Sequence, residues 1–145
     1  MTAPGQVEMQ YLPYPDHLEP GAVVVKMEMS GICGTDKRLY ANGHFKITPG
    51  EPRIIGHELI GEIVDLKWQG GGFQVGERVT FAPNVGCGVC KMCRKGYTQL
   101  CEQFDAFGFS MDGGFAQYMA VPEVAFAPGS TVSVWLPIES APKLW

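Results

Sequence analysis

Four of the five cysteines in this chain, Cys87, Cys90, Cys93 and Cys101, fall within fifteen residues in the spacing C-x2-C-x2-C-x7-C. No other feature constrains the fold as tightly. A divalent zinc ion prefers four tetrahedral thiolates at about 2.3 Å, and gaps this short let one loop wrap the ion. Gly86, Gly88 and Gly96 offer the backbone freedom that wrapping needs. Lys91, Arg94 and Lys95 offset part of the negative charge of a zinc tetrathiolate. An iron–sulfur cluster is the rival use of four thiolates, and the spacing differs from the ferredoxin patterns. Unligated thiols would behave as small hydrophobes with no core to join in so polar and glycine-rich a loop. The lobe from residue 86 to 101 has no sustained periodicity, as expected of a segment ordered by metal rather than by a core.

The odd cysteine count and the clustering fit metal thiolates in a reducing compartment better than a disulfide framework. At 145 residues, 46% hydrophobic and 18% charged, the chain is long enough to close one core, and a single domain over 1–145 is expected. The net charge of -4 comes from scattered acids, so neither a nucleic acid nor an anionic membrane surface is indicated as a partner. No stretch approaches the roughly 18 apolar residues of a membrane span, and MTAPGQVEMQ lacks the features of a signal peptide. The expectation is a soluble, cytoplasmic protein.

Several short strands are legible. AVVVKMEM (Ala22 to Met29) is rich in β-branched residues and then alternates, which predicts a strand. In SGICGTDKRLYANG, Cys33 sits in a glycine-flanked turn, and Thr35 or Asp36 is the expected cap of a short helix through Tyr40. HELIGEIVDL and ERVTFAP form a hairpin-like pair about WQGGGFQVG, and FAQYMAV and EVAFAP read as strands around Pro122. This pattern predicts a mainly β, barrel-like domain with short helices. The tail GSTVSVWLPIESAPKLW gives no definite element.

The fifth cysteine, Cys33 in GICGTD, lies far from the lobe, and His57 and Glu58 follow in GHELIGE. A cysteine, a histidine and a carboxylate are the ligand types of an open zinc site, in which one position is left for water or substrate. Adjacent residues in a regular strand face opposite ways, so joint use of His57 and Glu58 needs an irregular backbone, which Gly56 permits. The bland alternative is a satisfied histidine beside a solvated acid. His17 and His44 read as surface-loop residues, although His44 is also placed to line a cleft. Tyr40, Phe107 and Phe109 read as core before pocket.

Taken together in order and spacing, GICGTD, GHELIGEIVD, GERV, the four-cysteine lobe and DGGFAQYMAVP resemble the zinc-dependent medium-chain alcohol and polyol dehydrogenases. The amino-terminal catalytic domain of that family is GroES-like. The resemblance implies a catalytic zinc held by Cys33 and His57, with Glu58 as a ligand or close outer partner, and a structural zinc on Cys87, Cys90, Cys93 and Cys101. It implies that Thr35 relays the alcohol proton and that Asp36 orients the histidine ligand. The implied activity is zinc-assisted oxidation of a small alcohol with hydride transfer to NAD(P). Two departures stand out. Arg38 occupies the position where many members end a proton relay in histidine, and a later cysteine or glutamate ligand has only Glu139 in LPIES as a counterpart.

Hydride transfer needs a dinucleotide site, signalled by G-x-G-x-x-G between a strand and a helix. The chain contains no such run. The expectation is a catalytic domain with the nucleotide-binding domain absent, inactive unless that Rossmann domain is supplied. The alternative is a stand-alone zinc-binding or assembly module. Apolar surface left uncovered, with Trp135, Leu136 and Trp145 as candidates, suggests a homo-oligomer.

Overall fold

Three successive valines, Val23, Val24 and Val25, open β1 (Val23–Gly31) and are fully buried, as expected of β-branched side chains in a strand covered on both faces. The rest of β1 runs outward to Gly31 and is more exposed. A computed structural model describes residues 1–15, 19–47, 50–70, 72–125 and 136–137. Within them α1 (Gly34–Asn42) follows β1, then β2 (Glu58–Leu66), β3 (Arg78–Thr80) and β4 (Asn84–Val85). The lobe contributes α2 (Lys91–Arg94), after which come β5 (Asp105–Ala106), β6 (Tyr118–Val121) and β7 (Leu136–Pro137).

One five-stranded antiparallel sheet has the order β6-β1-β2-β3-β7, and β4 pairs with β5 in a separate ribbon. The chain is therefore mainly β with short helices, without the alternating βαβ units of a dinucleotide-binding fold among the described residues. β2 and β3 pair as the two runs about the glycine-rich turn suggest, with Gly61 opposite Val79. The β1–β2 pairing runs from Val23 opposite Leu66 to Gly31 opposite Glu58, with register shifts at Val24/Val25 and Met27/Met29. Such bulges bend a strand and re-aim its end, and here that end leads directly to Cys33.

Two apolar clusters hold the sheet in place. The larger joins Val23, Val25, Leu59, Ile63, Phe107 and Val121, with Phe81 edge-on to Phe107 at a ring separation of 6.0 Å. The smaller packs Met1, Leu39, Ile47 and Ile55 with Phe109 and Phe115, so α1 is anchored by Leu39 beneath the loop that carries His57.

Some expected elements differ in extent or kind. Of EVAFAP only residues 123–125 are among the described residues, and Glu123–Ala125 is a 3-10 turn rather than a strand. Pro122 precedes it and its carbonyl accepts the Ala125 N–H at 3.0 Å, a local bond that competes with ladder pairing. ERVTFAP supplies only Arg78–Thr80, and the helix expected to be capped by Thr35 or Asp36 is capped two to three residues earlier, on Cys33. His17, Trp135, Glu139 and Trp145 lie outside the described residues. No helix among the described residues is long and apolar enough to cross a membrane.

Phe107 is the largest fully buried side chain among the described residues. Its replacement by alanine leaves a cavity that the rigid sheet cannot close, and a loss of about 3–5 kcal/mol is expected in urea unfolding of the metal-loaded protein.

Candidate metal centres

In the lobe, Cys87, Cys90, Cys93 and Cys101 each offer a sulfur, and the four sulfurs lie within 4.8 Å of one another. The local fold explains why. Cys90 caps α2 by accepting the Cys93 N–H at 3.4 Å, and Cys87 accepts the Cys90 N–H at 3.4 Å. Cys101 accepts backbone N–H groups from Cys87 and Gln103, both at 3.3 Å. Gly88 and Gly96 take positive φ values of 73° and 84°. Gly86 serves differently, because a Cβ there would stand 2.8 Å from the Cys93 sulfur. None of the five cysteines of the chain is in a disulfide.

These N–H···S bonds shape the electrostatics. The Cys93 amide lowers the Cys90 thiol to about 6, while burial pushes the Cys93 thiol up to about 12. The Cys87 thiol is also lowered, chiefly by the amides of Val89 and Cys90. Four sulfurs gathered by donor N–H groups, one of them fully buried, are a poor arrangement for neutral thiols and a good one for a soft divalent cation. The residues fit a tetrathiolate metal.

A second group forms where β1 ends and β2 begins. Ligand atoms of Cys33, His57 and Glu58 lie within 4.8 Å of one another. Gly31 lies opposite Glu58, so the residues just after β1 and just before β2 are neighbours although 24 positions separate Cys33 from His57. Gly56 has φ 97° and lets His57 leave strand geometry before β2 starts at Glu58. The turn is clasped from outside. Gly113 donates to the Ile54 carbonyl at 2.7 Å, and Phe115 to the Ile55 carbonyl at 3.0 Å. A Cβ on Gly113 would stand 2.0 Å from the Gly56 carbonyl, and one on Gly56 would strike the Phe115 ring at 2.2 Å. Gly31 leaves room for Glu58, whose carboxylate oxygen would meet a Cβ there at 2.7 Å.

Asp36 ties this group to α1. One carboxylate oxygen accepts the Cys33 N–H at 2.8 Å while the Cys33 sulfur accepts the Thr35 N–H at 3.2 Å, which caps the helix. The other oxygen faces His57 Nδ1 at 3.5 Å, and both residues are buried. Neither of those two atoms has a hydrogen-bond partner, so the pair is held at a distance just beyond a strong bond. A carboxylate beside Nδ1 favours the tautomer with its proton there, which turns the Nε2 lone pair toward the Cys33 sulfur 3.3 Å away. An imidazole lone pair, a sulfur and a carboxylate facing one small space, with an acid behind the imidazole, fit a second metal with an open position.

A pocket of about 320 Å³ opens beside His57, lined also by Thr35, His44, Asn84, Phe104 and Phe109. His44 is thus part of the cleft rather than a bare surface residue. The Phe109 ring lies against both imidazoles, 5.3 Å from His57 and 5.0 Å from His44. Phe107 belongs to the core and Tyr40 is exposed. The place of His44 on the segment leaving α1 was the available sequence signal. Phe109 had none, because a loop aromatic reads alike in core and pocket.

Residues 19–131 match the alcohol dehydrogenase GroES-like domain family. The chain is 37% identical over 101 residues to L-threonine 3-dehydrogenase from Shewanella woodyi, covering 69% of this chain and 30% of that enzyme. Its fold is similar to galactitol-1-phosphate dehydrogenase from Escherichia coli, with a TM-score of 0.74, 30% identity, and 83% and 34% of the two chains covered. It is also similar to a candidate zinc-binding dehydrogenase from Sinorhizobium meliloti 1021 bound to NADP, with a TM-score of 0.69, 35% identity, and 84% and 34% covered. The chain thus spans about a third of the length of these relatives.

The thiol environments give a direct expectation. In metal-free protein, alkylation of Cys90 by iodoacetamide should rise through about pH 6 and level off above it, because its thiolate is already formed, while Cys93 stays unmodified past pH 8. Zinc should suppress modification of all four, read by peptide mass mapping.

Proposed function

Because the chain belongs to the alcohol dehydrogenase GroES-like domain family, we propose that residues 1–145 act as the metal-holding catalytic domain of a zinc-dependent alcohol or polyol dehydrogenase. The observation that carries this reading is the approach of Cys33, His57 and Glu58 to one another, with His57 lining a pocket and Asp36 behind the histidine. Cys33, His57 and Glu58 would hold the catalytic zinc, and Cys87, Cys90, Cys93 and Cys101 the structural one. Zinc at the first position supplies Lewis acidity toward a substrate hydroxyl.

The chain's own residues do the rest. Asp36 keeps the His57 proton on Nδ1, so that Nε2 stays free as a donor of electrons. Thr35 lines the pocket, where its hydroxyl can accept the proton of a substrate hydroxyl and pass on its own. Arg38 is exposed and permanently charged, so it cannot take that proton onward, and the relay ends in solvent beyond Thr35. Phe104 and Phe109 shield the reacting carbon from water. The hydride acceptor, NAD(P), would be held by a nucleotide-binding domain outside these residues, as the relatives' greater length suggests. The chain alone should therefore not turn over an alcohol.

Metal analysis tests the reading. Two zinc ions per chain are expected, falling to one in Cys33→Ser with the lobe intact. In the cobalt-substituted protein, 1-propanol should perturb the visible bands, and Cys33→Ser should abolish the response. A single ion per chain with an alcohol-insensitive spectrum would overturn the proposal and leave a zinc-binding module. Asp36→Asn should weaken metal binding at Cys33, His57 and Glu58 by about 10- to 100-fold while sparing the four-cysteine site.

A further inference from the structure

His44 is the one pocket histidine that this reading leaves unused. Its Nδ1 accepts the backbone N–H of Lys46 at 3.2 Å, which places the ring proton on Nε2. Among the described residues that Nε2–H has no hydrogen-bond partner, and the ring lines the pocket beside His57. Partial burial and the Lys46 ammonium lower the pKa of the imidazole below its ordinary value, so the group is neutral near pH 7. Lys46 itself is turned aside. Its ammonium donates to the Phe104 carbonyl, pairs with Asp105 at 3.7 Å and lies 5.0 Å above the Phe104 ring.

The pocket therefore offers neutral donors, the His44 imidazole, the Asn84 amide and the Thr35 hydroxyl, set against the rings of Phe104 and Phe109. No lysine or arginine is among the described residues that line it. Neutral donors over aromatic faces suit a carbon chain carrying several hydroxyls, and they offer little to a phosphate or carboxylate, which calls for cationic or multiple N–H donors. We infer that His44 Nε2–H is a second oxygen subsite, so that the substrate is an uncharged vicinal diol or longer polyol held by one oxygen at the Cys33–His57–Glu58 group and by another at His44. This rests on the proposed dehydrogenase reading of that group.

The test uses the zinc-loaded chain, with 1-propanol and 1,2-propanediol titrated and followed by NMR. One well-placed hydrogen bond should make the diol bind about 5- to 10-fold more tightly, and the diol, unlike 1-propanol, should shift the His44 ring resonances. His44→Phe should bring the affinity ratio to about one at unchanged zinc content, and His44→Gln, which keeps an N–H donor, should restore part of it. The wild-type ring shifts decide the matter should His44→Phe fold poorly. A ratio unchanged in His44→Phe, or ring resonances indifferent to the diol, would overturn the subsite while leaving the dehydrogenase reading standing. Tighter binding of glycerol 3-phosphate than of glycerol would overturn the uncharged class. Failure of both alcohols to bind protein carrying two zinc ions would instead remove the dehydrogenase reading, and the subsite with it.

Discussion

The pairing of Gly31 with Glu58 governs this molecule. Antiparallel strands align residues distant in sequence with a tolerance of one position, because a slip of one would turn every side chain to the opposite face. Here the ladder sets the last residue of β1 opposite the first of β2, and three potential ligands meet at that corner. The bulges in β1 matter for the same reason: they absorb the mismatch between a buried valine end and a ligand-bearing end without breaking the pairing. Burial of Val23, Val25, Leu59 and Ile63 fixes the register, so the hydrophobic core and the donor geometry are one constraint seen from two sides.

Asp36 shows how little separates local folding from site chemistry. A single carboxylate completes a helix cap with one oxygen and faces the His57 ring with the other. The cap holds the first turn of α1 and so fixes the Cys33 sulfur, while the ring contact sets the tautomer of its neighbour. The four-cysteine lobe obeys a different logic. Its order comes from short-range N–H···S bonds within one loop, and the opposed environments of Cys90 and Cys93 mean that a bound cation must strip a proton from at least one reluctant thiol.

Much of the fold could be read from sequence because its signals are local. The β-branched opening of β1, the strands about WQGGGFQVG and the cysteine spacing each depend on neighbours a few residues away. The cap on Cys33 was missed because thiols are uncommon caps and Thr35 and Asp36 are common ones. The start of EVAFAP, Glu123–Ala125, misled because its composition suits a strand, whereas the Pro122 carbonyl captures the Ala125 N–H. The convergence of Cys33, His57 and Glu58 could be suspected from residue type, but their proximity is a property of register, which no single segment encodes. His44 and Phe109 show the same limit, since a pocket is defined by residues from separate loops.

The close stacking of Gly56 against Gly113 has a practical consequence for anyone seeking to change what this domain accepts. Two backbones meeting without side chains form a fixed hinge pin, and every substitution there would displace His57 along with the loop it sits on. The walls contributed by His44 and Phe104 carry no such burden. Directed libraries could remodel those two positions and keep the glycine contact and Phe109, which also packs on the Leu39 cluster, as an invariant frame that separates selectivity from integrity.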